Sequence, residues 1–178
     1  MAIVKVHSSR PSASDRAFEE INSLEDLRAF MHREGLVKAP IDVVKVAERL
    51  GIEVRLEAMD DDMSGYLESR GQRWVIGVNQ YHHQVRQRFT VAHELAHFAL
   101  HRRTQREFRD ETFARRSDSR NPMEREADNI AADLLMPKES VSSAVNRGIR
   151  SLNELAEMFS VSAIAMKYRL RNLGYQLT

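Results

Sequence analysis

The chain has 178 residues, 42% apolar and 30% charged, with 27 Lys and Arg against 26 Asp and Glu for a net charge of +1. That size fits one ordinary domain or a domain with a small appendage, and the balanced charge gives no global drive toward nucleic acid or membrane. The lack of cysteine excludes disulfides and thiolate metal sites, so any metal must be held by histidine and carboxylate.

Residues 1–20 read as a polar lead-in, with Ser8, Ser9, Pro11 and Ser12 breaking any periodicity. They lack the apolar stretch of a secretion signal, and no apolar run approaches the length that spans a bilayer, so a cytoplasmic protein is expected. From Ser23 to Met31, the apolar Leu24, Leu27, Phe30 and Met31 recur at helical spacing. A second helix is expected from about Pro40 to Leu50, with Pro40 in its first turn and Gly51 as its stop. Its apolar stripe is Ile41, Val44, Ala47 and Leu50.

The period then shifts to two. Ile52, Val54 and Leu56 alternate with polar residues, and Asp60-Asp61-Asp62 marks a turn. Gly65-Tyr66-Leu67 and Trp74-Val75-Ile76-Gly77-Val78 read as strands joined at Arg70-Gly71, giving a small antiparallel sheet of about three strands. A long helix follows, about His83 to His101. Residues 102–121 are polar and carry Arg102, Arg103, Arg106, Arg109, Arg115, Arg116 and Arg120, the pattern of a solvated, mobile connection or flap. A basic docking surface is the competing reading of that stretch.

Asn121-Pro122 supplies an N-cap and a first-turn proline for a helix that runs to about Leu135 and ends before Pro137. Three shorter helices are expected near 138–147, 151–159 and 162–173, with Ser151 and Glu154 at capping-box spacing. The expected fold class is α+β and mostly helical, with the small sheet beside the long helix. Residues 21–137 form the expected core, and 138–178 a helical segment of helix-turn-helix character.

The segment carrying chemistry is Val91-Ala92-His93-Glu94-Leu95-Ala96-His97, an H-E-x-x-H pattern. Chance places that pattern in about one random chain in two hundred of this length. Residues four apart share a helix face, so His93 and His97 can bind one ion. Glu94 lies about 100° around the helix, free to act as a base without being a ligand. Zinc lowers the pKa of a bound water to about 7, and a carboxylate can then take its proton during attack on a peptide carbonyl.

A catalytic zinc takes three protein ligands and leaves one position open. A metzincin-type extension is absent, since Leu100 and Arg103 stand where glycine and histidine would be needed. His101 lies a further turn along the helix, too far to converge on the same ion, and reads as an ordinary helix-end histidine. The better third ligand is Glu124 in Met123-Glu124-Arg125-Glu126-Ala127-Asp128. Asp128 shares its face and can orient a ligand imidazole, His93 by preference. Glu126 is rotated away by about 200° and is the less favoured ligand.

With these residues in place the chain resembles the ImmA/IrrE family of metallopeptidases. The resemblance is carried by Arg88-Phe89-Thr90-Val91-Ala92-His93-Glu94-Leu95-Ala96-His97 and by the segment from Glu124 to Pro137. Weaker matches at Pro40 to Gly51, Ser64-Gly65 and Ile76-Gly77-Val78-Asn79 extend it over most of residues 40–137. Ile130 departs from the aromatic residue common in the family. The resemblance implies a gluzincin-like zinc peptidase, one Zn2+ per chain, that cuts a helix-turn-helix repressor and so acts in transcription regulation.

Tyr66, Tyr81, His101 and Tyr168 are candidate donors to the oxyanion formed on attack. Trp74–Val78 can hold substrate as an exposed edge strand, or can simply pack. Arg88 can anchor the long helix through a carboxylate, or stay solvated. In the C-terminal segment Lys167, Arg169 and Arg171 can contact phosphates, although three basic residues are a thin footprint for DNA. The alternative function is a non-catalytic regulator with structural zinc that binds DNA or a partner protein through these helices. Structural zinc normally has four protein ligands, and three are found here.

Overall fold

The computed structural model describes residues 21–71, 73–111 and 121–176. Seven helices and four strands are described: α1 (Leu24–Arg33), α2 (Val43–Arg49), β1 (Ile52–Glu57), β2 (Met63–Arg70), β3 (Arg73–Asn79), α3 (Gln84–His101), β4 (Glu107–Glu111), α4 (Pro122–Leu135), α5 (Lys138–Asn146), α6 (Leu152–Phe159) and α7 (Ala163–Asn172). The class is α+β, as expected. The lead-in of residues 1–20 and residues 112–120 of the arginine-rich stretch lie outside the described residues.

Local chemistry sets the helix starts. The Ser23 hydroxyl accepts from the Asp26 N–H at 3.1 Å, and Ser162 does the same for Ala165. Asn121 caps α4 through Met123 N–H, with Pro122 in the first turn as its fixed φ favours. One start is displaced: α2 begins at Val43 and not at Pro40. The Asp42 carboxylate accepts from Lys45 N–H at 3.0 Å, and a good side-chain cap two residues on outcompetes proline as the entry point.

The sheet is larger than expected and mixed, in the order β1-β3-β2-β4. β3 runs parallel to β1 and antiparallel to β2, and β2 pairs antiparallel with β4. Trp74–Val78 is thus an interior strand, buried on both faces, and cannot offer a free edge. The fourth strand lies inside the stretch expected to be a solvated connection. Its Phe108 is buried and turns inward, while neighbours such as Glu107 and Arg109 stay in solvent. Arg102, also in that stretch, is buried: it donates to the Phe98 and Ala99 carbonyls and lies over the Phe98 ring, closing the end of α3.

Helix α3 crosses one face of the sheet. Trp74 meets Phe98 edge-on with centroids 5.7 Å apart, and Gly65 lets Thr90 come down onto β2. A Cβ at Gly65 would lie 2.5 Å from the Thr90 methyl and from the Gly77 carbonyl oxygen, so a side chain there would lift the helix. α3 is buried along Thr90–Ala99 because the sheet covers one side and α4 another. Ala92, Ala96 and Ala99 on α3 and Ala127 and Ala131 on α4 are buried, small side chains that suit close packing around both helices.

The C-terminal helices join the same core through Leu155, Phe159, Met166 and Leu170. Arg169 reaches back to α4, donating to the Met136 carbonyl at 2.8 Å and pairing with Asp133. Arg88 bridges the ends of this arrangement. Its guanidinium donates to the Ile41 carbonyl at 2.8 Å and the Ser160 carbonyl at 3.2 Å, so it anchors α3 through backbone oxygens and not through a carboxylate.

Candidate metal centre

Three side chains from two helices converge. His93 and His97, one turn apart on α3, place their Nε2 atoms 2.9 Å from one another. Glu124, in the first turn of α4, brings one carboxylate oxygen to 3.2 Å from His93 Nε2 and the other to 3.4 Å from His97 Nε2. All three ligand atoms lie within 4.8 Å of one another. Both imidazoles are buried and Glu124 is partly so.

The electrostatics suit a cation. Burial lowers the His97 pKa, opposed by its contact with Glu124, so the ring stays neutral and able to ligate. Burial alone would raise the Glu124 pKa, but hydrogen bonds with His93 and then His97 hold it well below the usual carboxylate range. Two neutral imidazoles and one carboxylate are a nitrogen–oxygen donor set that zinc accepts, with one position left open. The residues therefore fit the ion that the sequence pattern suggests.

The far sides of the two imidazoles are also held. Asp128, one turn beyond Glu124, sets Oδ1 3.0 Å from His93 Nδ1, the contact expected from its spacing. His97 Nδ1 faces His101 Nδ1 at 3.0 Å. His101 is thus more than a helix-end histidine: it is buried, and its Nε2 lies 3.5 Å from the Glu126 carboxylate. Glu126 stands outside the ligand group, as its angular offset implies. The signal for His101 was the third histidine at four-residue spacing, which falls on the same helix face as His97.

Glu94 is fully buried on α3 between the two histidines. Phe108 from β4 stacks on the His97 ring with centroids 4.6 Å apart and planes 21° apart. The sheet edge at this site is therefore β4, and not the interior Trp74–Val78 strand.

The other candidates are dispersed. Tyr66 points away from α3: its neighbours Gly65 and Leu67 face the helix, its ring lies over Gly77, and its hydroxyl donates to Glu57 at 3.0 Å. Tyr81 and Tyr168 are 67% and 60% exposed, on the loop before α3 and on α7. Lys167 and Arg171 face solvent on α7, but Arg169 is committed to α4. No helix among the described residues is long and apolar enough to cross a membrane.

The Peptidase_M78 family model, described as the IrrE N-terminal-like domain, matches residues 47–171. That span runs from the end of α2 to the end of α7 and includes every residue of the centre. None of the curated proteins compared matches the chain.

Proposed function

Because the chain belongs to the Peptidase_M78 family of IrrE N-terminal-like domains, we propose that it is an intracellular zinc-dependent endopeptidase that cuts a helix-turn-helix repressor. The observation that carries this reading is the convergence of His93, His97 and Glu124 around one point, with Asp128 behind His93. The ligands are His93 Nε2, His97 Nε2 and a Glu124 oxygen. A zinc held there would supply Lewis acidity to a water and to the scissile carbonyl.

The chain's own groups do the rest. The Glu94 carboxylate accepts the proton of the attacking water and returns it to the leaving amine nitrogen as the C–N bond breaks. Its burial, between two ligand histidines, excludes bulk water from that transfer. Asp128 holds His93 in the tautomer that leaves Nε2 free to ligate. β4, with nothing paired on its outer side among the described residues, supplies backbone donors and acceptors for an extended substrate.

The choice of substrate rests on the likeness to ImmA/IrrE peptidases. DNA binding by the C-terminal helices is the weaker reading, since the pairing of Arg169 with α4 leaves Lys167 and Arg171 from the expected basic trio. The test is a gel assay of zinc-loaded protein against the helix-turn-helix regulator encoded nearest to it, with Glu94→Gln alongside. Cleavage by the wild type alone supports the peptidase, its base and its substrate class. A stable complex with no cleavage by either protein, at full zinc occupancy, favours a binding regulator.

A further inference from the structure

Both imidazoles of the metal centre reach a carboxylate of α4, but by different routes. His93 meets Asp128 directly, Nδ1 to Oδ1 at 3.0 Å. His97 has His101 between it and the helix: Nδ1 to Nδ1 at 3.0 Å, then His101 Nε2 to Glu126 at 3.5 Å. We infer that His101 is a positioning residue for His97, accepting the His97 Nδ1 proton and being fixed in turn by Glu126.

The protons can be placed from the geometry. His97 Nε2 faces His93 Nε2 and Glu124, so it is the ligand nitrogen and must be unprotonated. The His97 proton then sits on Nδ1, where the atom within reach is His101 Nδ1. Two facing ring nitrogens form a hydrogen bond only if one donates and the other accepts. His101 must therefore be the Nε2–H tautomer, and its Nε2 lies 3.5 Å from the Glu126 carboxylate, a charge that favours a proton on that nitrogen.

Packing supports the same role. Phe108 covers the face of His97 and also lies near His101, centroids 6.2 Å apart, so the paired rings are clamped from the sheet side. His101 is buried, where an unsatisfied ring nitrogen would be costly, whereas Glu126 is mostly exposed and can follow the ring. A hydrogen bond from the far nitrogen raises the basicity of a ligand imidazole and fixes its orientation.

This inference rests on the zinc reading, and zinc affinity tests the two separately. Chelator competition on full-length protein should show His101→Phe weakened about 10- to 100-fold, the usual loss when such a partner is removed. His101→Asn, whose amide oxygen falls near the position of Nδ1, should recover most of that loss. The visible spectrum of the cobalt-loaded protein should shift in the Phe variant and return toward wild type in Asn. Wild-type affinity in His101→Phe, or equal loss in Phe and Asn, would overturn the inference. Failure of the wild type to bind zinc would instead sink the metal centre itself.

Nitrogen-15 spectra of histidine-labelled, zinc-loaded wild type read the same point without a mutation. They should show His97 protonated at Nδ1 and His101 protonated only at Nε2. A proton on His101 Nδ1 would overturn the assignment.

Discussion

Phe108 on β4 stacks against the His97 ring with centroids 4.6 Å apart, tying an edge strand of the sheet to a residue of the metal centre. Without that ring, His97 would lose its support from the sheet side. Phe108→Leu keeps an apolar group and removes the stack, so it should cost about 1 kcal/mol of stability, the usual worth of an aromatic pair beyond burial. Urea unfolding of the zinc-free protein measures this. A variant as stable as wild type would show that the stack contributes little.

The ligand assignment separates two glutamates two residues apart. Glu124→Ala should lose its zinc on dialysis, while Glu126→Ala, whose carboxylate meets His101 and not the ligand group, should keep most of it. Asp128→Ala should bind with affinity reduced about 10- to 100-fold. Metal content by atomic absorption, followed by chelator titration, gives all three. Loss of zinc from Glu126→Ala with retention in Glu124→Ala would reverse the assignment.

The pH dependence of the zinc-free fold follows from the same residues. His97 titrates near 6.5 when unfolded and lower when folded, chiefly through burial. Between those values the unfolded chain binds the extra proton, so stability falls as pH falls below 6.5. Burial raises the Glu124 pKa, but the two histidines pull it well below its unfolded value of 4.5; its contribution is present above 4.5 and lost as pH drops further. The slopes have one sign. Unfolding free energy should decline steadily from pH ~7 to ~4, by at most about 1.4 kcal/mol per pH unit for each group. Denaturant titrations across that range check it, and a flat profile would contradict it.

Tyr66 and Gly77 test which face of the sheet is structural. The Tyr66 ring lies over Gly77, where a Cβ would sit 2.1 Å from a ring carbon. Gly77→Ala should therefore destabilise the fold by about 1–3 kcal/mol through overpacking. Tyr66→Phe loses the hydroxyl's hydrogen bonds to Glu57 and from Arg70, both away from the metal centre, and should leave zinc affinity and proteolysis unchanged. Thermal melts and the gel assay suffice; loss of proteolysis in Tyr66→Phe would restore it as an oxyanion donor.

How much of this was legible in the chain depends on how local each feature is. His93 and His97 are readable because four-residue spacing on one helix puts both rings on one face. Glu124 and Asp128 needed only a second helix with the same spacing. For His101 the four-residue spacing from His97 places it on the same face, but its contacts with Glu126 on α4 and Phe108 on β4 come from across the fold, which no spacing along α3 reveals. The unbroken apolar run Trp74-Val75-Ile76-Gly77-Val78 carried a signal of burial on both faces, hence of an interior strand. β4 was hidden because one inward apolar residue, Phe108, among charged neighbours gives no periodicity to read.

The most direct measurement is diffraction from zinc-loaded crystals on either side of the zinc absorption edge. One anomalous peak per chain is predicted, about 2.0–2.2 Å from His93 Nε2, His97 Nε2 and a Glu124 oxygen, with the fourth position left to solvent. A peak elsewhere, or a fourth protein side chain closing the site, would contradict an open catalytic centre.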